Sequence, residues 1–156
     1  MARTIQLKNL HKSYKLDERL VRRVVNRILK YCKNRSGVNL EIVFLTDKEI
    51  RRLNKKFKGS DRATDVLSFD LGGSAFGARP FLGEAFISID RALINSKAFN
   101  TKFEEEVTLY IIHAILHLFG YDDITLKERA RMERKQKEIL RFLCKRENLS
   151  KVLTPR

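Results

Sequence analysis

The sequence predicts an α/β fold: a single domain with a mixed sheet of about four strands flanked by helices, and a metal site at the end of a central helix. Three observations predict it. Short runs rich in branched and aromatic side chains, such as VNLEIVFL at 38–45, alternate with longer segments whose apolar residues recur at helical spacing. Threonine–glutamate pairs three residues apart, the pattern of a helix-opening capping box, precede several of those segments. The stretch EEEVTLYIIHAILHLFGYDD (104–123) reads as an apolar helix, yet it holds two of the three histidines, His113 and His117.

A chain of 156 residues fits one domain over 1–156, with 43% hydrophobic and 33% charged residues. No apolar run approaches bilayer length, and MARTIQLKNLHKSYK lacks the apolar core of a signal peptide, so the expected setting is cytoplasmic with no membrane partner. Cys32 and Cys144 belong to no paired motif and read as reduced thiols. Thirty-three Lys and Arg against nineteen Asp and Glu give +14, a surplus that favours a polyanion such as nucleic acid or an anionic membrane. A lineage of basic proteins gives the same number, so charge alone does not choose. The sequence sets no oligomeric state.

Taken in order, Thr4–Leu10 alternates as a short strand, and Leu20 to Cys32 recurs at helical spacing, with Asp17 and Glu18 at its start and Gly37 as its stop. Val38–Leu45 is the clearest strand. Thr46 and Glu49 open a helix over Asp47–Lys56, with Ile50, Leu53 and Phe57 inward. Residues 58–63 form a loop, Thr64–Leu71 a second buried strand, and Gly72–Pro80 a mobile loop able to move aside for substrate. Leu82–Asp90 is a further strand, followed by a short helix over Arg91–Ala98. Thr101 with Glu104 launches the histidine helix, and Thr125 with Glu128 launches a long final helix. Residues 146–156 are expected to be a frayed tail.

Positions i and i+4 share a helix face, so the imidazoles of His113 and His117 can point at one ion. Gly120 ends the helix, and Tyr121-Asp122-Asp123 can return a carboxylate to the same place. Two imidazoles and a carboxylate are the ligands of an open, catalytic metal site. The alternative is a pair of core histidines bonded to carbonyls or to the Glu104–Glu106 run. Ala114 stands where a zincin carries its glutamate, which argues against a protease. Glu84 and Asp65 are candidate proton acceptors, and both also suit structural roles.

HAILHLFGYDD (113–123) resembles H-G-x-L-H-L-x-G-Y-D-H, the signature of the YbeY family of metal-dependent endoribonucleases, also called rRNA maturation factors. LNKKFKGSDRATDVLSFD (53–70), FLGEAFIS (81–88) and ERARMERKQKEIL (128–140) are similar to further blocks of that family, in family order. The resemblance implies one Zn2+, or another divalent transition metal, per chain, held by His113, His117 and Asp123, the last in place of the family's third histidine. Asp122 matches the family's own aspartate and is assigned a supporting role beside the ligands. Lys58 stands where the family has an arginine important for activity, and Arg62 is a candidate to supply the missing guanidinium fork. Lys58 and Glu84 are then catalytic, while Arg62, Thr64, Asp65 and Ser68 shape a groove for RNA. The implied function is a single-strand-specific endoribonuclease of ribosomal RNA maturation and ribosome quality control, acting on ribosomal particles. The alternatives are a non-catalytic or weakly active RNA-binding relative, and a metallohydrolase of another class such as a protease.

Overall fold

The computed structural model describes residues 2–34, 36–73 and 79–156. In chain order the elements are strands β1 (Arg3–Asn9) and β2 (Tyr14–Leu16), helix α1 (Glu18–Tyr31), β3 (Val38–Leu45), α2 (Asp47–Lys58), β4 (Val66–Gly72), β5 (Phe81–Ser88), and helices α3 (Ile89–Phe99), α4 (Phe103–Leu118) and α5 (Leu126–Cys144). A 3-10 turn at Leu149–Lys151 and strand β6 (Leu153–Pro155) follow. The Gly72–Pro80 loop falls largely on residues 74–78, outside the described residues.

Four strands form a mixed sheet in the order β1-β3-β5-β4. The first three run parallel and β4 is antiparallel to β5 on the edge. Parallel strands need crossovers, and α1 supplies the one between β1 and β3. Alternation then assigns the faces. Leu40, Ile42 and Phe44 join the main core with α1, α3, α4 and α5, while Val43 and Leu45 join a smaller core with Ile50 of α2 and Leu67 of β4.

Local chemistry starts most helices where the sequence places them. Asp17 accepts from Leu20 N–H at 3.0 Å. Helix α3 begins at Ile89, earlier than the expected Arg91, because Ser88 ends the strand and caps the helix by accepting from Arg91 N–H at 3.1 Å. Thr46 and Glu49 make the full reciprocal capping box, at 3.2 and 3.3 Å. Thr125 accepts from Glu128 N–H, but Glu128 reaches back to Ile124 N–H instead of the cap residue. Helix α4 departs from expectation: its cap is Lys102 without a side-chain bond, because Thr101 donates its hydroxyl to Glu106 at 2.9 Å. Nor does Gly37 stop α1. That helix ends at Tyr31, and Lys33 takes the left-handed φ of 57°. Phe57 is expected inward but is 56% exposed, its ring set edge-to-face against Phe69 of the edge strand β4.

The expected frayed tail is instead ordered. Residues 153–155 pair antiparallel with β2, and Asp17 N–H donates to Val152 O at 3.1 Å. Leu149, Val152 and Leu153 are buried in the main core beside Leu16 and Leu20. Three apolar residues at irregular spacing give no periodic signal, yet burying them offsets the entropy of ordering the segment. Just before it, Glu147 is held by Arg23 and Arg27, at 3.2 and 2.8 Å, and these guanidiniums pull its carboxyl below the usual range. The two cysteines are free, and burial pushes the Cys32 thiol up to about 11, which keeps it protonated and unreactive at neutral pH.

No helix among the described residues is long and apolar enough to cross a membrane. The most buried helix is α4, with Ile111, Ile112, Ala114, Ile115 and Leu116 all at 1% exposure or less. It lies against β4, β5, α1, α3 and α5, and it therefore fixes in space whatever stands at its C-terminal end.

Candidate metal centre

The end of α4 is a Schellman turn. Gly120 takes φ of 95°, its N–H donates to His117 O at 3.0 Å, and Tyr121 N–H donates to Leu116 O at 3.0 Å. Glycine is needed there because a side chain disfavours that φ. The reversal carries the chain back along the helix, and Arg131 of α5 lies over the Tyr121 ring at 4.9 Å, which anchors it. Asp123 thereby arrives beside the histidines. Its Oδ2 is 3.5 Å from His113 Nε2 and 3.3 Å from His117 Nε2.

One ligand atom from each of His113, His117 and Asp123 lies within 4.8 Å of the others. Four ligands at bonds of about 2.0 Å around a tetrahedral ion are separated by about 3.3 Å, so the carboxylate spacing suits a zinc-sized ion. The imidazole rings stand 4.6 Å apart between centroids at 77°, as one helical turn demands. His113 Nδ1–H donates to Gln136 Oε1 of α5 at 2.8 Å. An amide oxygen only accepts, so this bond puts the proton on Nδ1 and leaves the Nε2 lone pair facing Asp123. Side chains at the cluster are 22–39% exposed, so a fourth position remains open to solvent. The donor set, its spacing and the fixed tautomer all fit a catalytic ion.

A cleft of about 300 Å³ opens at the cluster, lined by Lys58, Thr64, Asp65, Ser68, Asp70, His113, His117 and Asp123 among others. Lys58 comes from the last residue of α2 and stands there because α2 stops at Gly59, in a left-handed cap. Thr64 and Asp65 lead into β4, where Asp65 Oδ1 accepts from Val66 N–H at 2.8 Å and from the Thr64 hydroxyl at 3.3 Å. Ser68 donates to Ala114 O at 3.5 Å, which ties edge strand β4 to the histidine helix. Asp70, two residues on, shares its face and enters the cleft without a signal in the sequence reading.

Three expected site residues are not brought to the cleft. Glu84 lies on the opposite face of the sheet. Its neighbour Gly83 packs against α4, where an added Cβ would come within 2.9 Å of Leu118, so alternation turns Glu84 toward the α2 side, opposite Phe69. A catalytic role for Glu84 at the cluster is therefore withdrawn. Arg62 lines a separate hollow with Asp47, Arg51 and Asp61, while its carbonyl accepts from Asn54, so it supplies no fork beside Lys58. Asp122 is exposed and outside the cluster, so a supporting role has no contact to rest on. Gln136 is the contact that sequence reasoning missed.

Fold and site together define an α/β protein with an open His-His-Asp cluster, able to hold a metal ion, at the end of a buried helix. Comparison with known proteins makes the class particular. The family model described as Endoribonuclease YbeY matches residues 5–144. Endoribonuclease YbeY of Halalkalibacterium halodurans is 34% identical, over 79% of this chain and 84% of its own, and that of Bacillus subtilis is 32% identical, over 80% and 87%. A Thermotoga maritima protein solved in solution superposes with a TM-score of 0.59 at 30% identity, covering 88% of this chain and 87% of that one. The chain belongs to the endoribonuclease YbeY family.

Proposed function

We propose that this protein is a metal-dependent, single-strand-specific endoribonuclease of ribosomal RNA maturation and ribosome quality control, working in the cytoplasm on ribosomal particles. One zinc ion is held by His113, His117 and Asp123. The single observation that carries the reading is their convergence, within the one stretch 113–123, in a cleft that also holds the cation Lys58.

A divalent ion at that position supplies Lewis acidity toward a phosphodiester and makes water more acidic. The chain's own groups do the rest. Lys58 meets the phosphate and offsets charge that grows as the nucleophile attacks, without the two-pronged grip of an arginine. Of the two candidate proton acceptors, Asp65 lines the cleft and Glu84 faces away. Gln136 holds His113 in one tautomer and one orientation. A cleft of about 300 Å³ has room for one nucleotide's backbone beside Lys58 and the cluster. The +14 charge supplies RNA affinity that falls as salt rises.

Cleavage of an unstructured RNA and of the same sequence as a duplex, with and without a chelator, tests the reading. The expected result is chelator-sensitive cleavage of the unstructured form. Lys58→Ala is expected to slow it by about 100-fold, and Lys58→Arg to preserve or raise it. Cleavage that survives both the chelator and Lys58→Ala would remove the cleft from the mechanism.

A further inference from the structure

Phe57 precedes the cleft residue Lys58 and ends the inward stripe of α2, one turn beyond Leu53, yet it is 56% exposed. Burying a phenylalanine is among the larger gains available to a small domain, so leaving one out forgoes stability. The ring is nonetheless not loose. It meets Phe69 of β4 edge-to-face at 5.5 Å and 65°, and Phe69 meets Phe86 of β5 at 5.9 Å and 76°. This row of rings fixes the outermost one while leaving much of its surface bare. Ammonium groups flank the row, with Lys56 Nζ 5.2 Å from the Phe57 centroid and Lys58 Nζ 5.6 Å from that of Phe69. Lys58 belongs to the row and to the metal cleft at once.

We propose that Phe57 is a stacking platform for an unpaired base of the RNA strand, next to the nucleotide held in the cleft. The proposal rests on the RNA-cleavage reading and adds a second subsite to it. Single-stranded RNA alternates flat bases with phosphates, and here ammonium groups stand at both ends of a pair of rings whose outer member, Phe57, is exposed. Glu84 lies opposite Phe69 across the ladder, on the same face. Its carboxylate disfavours phosphate at the far side of the row and leaves the lysine side for the backbone. An apolar protein partner would also cover Phe57, but the row is bordered by Lys56 and Lys58, and Lys58 also lines the cleft; both favour a polyanion. A duplex has no free base faces and gains nothing from such a platform.

The test measures binding of a short 2′-O-methyl oligouridine, which removes the 2′-hydroxyl, to the metal-loaded protein across a salt series. Phe57→Ala is expected to weaken binding by about 10-fold with the salt slope unchanged, because a stacking contact is lost and no phosphate contact is. Phe57→Tyr should stay within about twofold of wild type. The chain contains no tryptophan, so Phe57→Trp gives a single indole whose fluorescence should be quenched as the oligonucleotide binds. Wild-type binding that Phe57→Ala leaves unchanged, with no quenching in Phe57→Trp, overturns the platform and spares the RNA reading. A wild type that binds no single strand at any salt overturns both. An exposed ring changed to alanine should leave the thermal midpoint near that of wild type, and a large drop alongside the loss of binding would mark Phe57 as structural.

Discussion

His117→Ala is expected to empty the metal site and to lower RNA cleavage by on the order of 100-fold or more, with the fold intact. His117 occupies the last turn of α4 and its side chain is 27% exposed, so removing it opens no cavity in the core. Alanine is the better helix former, and the Schellman bonds there are made by the main chain. The loss therefore falls on the ligand set, where two donors remain of three. An unchanged circular dichroism spectrum with absent metal and absent cleavage is the expected combination.

Gln136→Leu is expected to weaken metal binding by about 10- to 100-fold although Gln136 does not belong to the ligand cluster. Its amide oxygen is the acceptor that holds the proton of His113 on Nδ1, 2.8 Å away. Leucine is close in size and helix propensity, so α5 is preserved while the acceptor is lost. The imidazole then exchanges tautomers and turns, and the fraction of time Nε2 faces the site falls. Gln136→Glu keeps an acceptor and should retain metal, which separates loss of orientation from loss of packing. Isothermal titration of the apo protein with zinc reads both variants.

The histidine pair, Gly120 and Asp123 were legible because their relation is local: helical period, a left-handed stop and a short return are written within eleven residues, 113–123. The cap at Thr46 was legible for the same reason. Contacts across distance were not. Gln136 follows His113 by 23 positions, and no spacing rule links a helix to the helix packed beside it. Alternation along β5 does show that Gly83 and Glu84 face opposite ways, but which face meets α4 is decided only when the strand is placed. The closing segment shows the same limit. Leu149, Val152 and Leu153 look like a polar tail's stray apolar residues until β2 and α1 are set beside them. Phe57 is the opposite case: helical spacing says inward, but its ring lies at the edge strand β4 against Phe69 and stays 56% exposed.

The central claim is that His113, His117 and Asp123 hold a single ion on which RNA cleavage depends. Elemental analysis of protein purified without added metal, run on wild type, Asp123→Ala and Asp122→Ala and paired with cleavage of an unstructured RNA, tests it most directly. The predicted result is about one zinc-like ion per chain in wild type and in Asp122→Ala, with both metal and cleavage strongly reduced in Asp123→Ala. Wild-type protein that cleaves RNA while carrying no stoichiometric metal would contradict it.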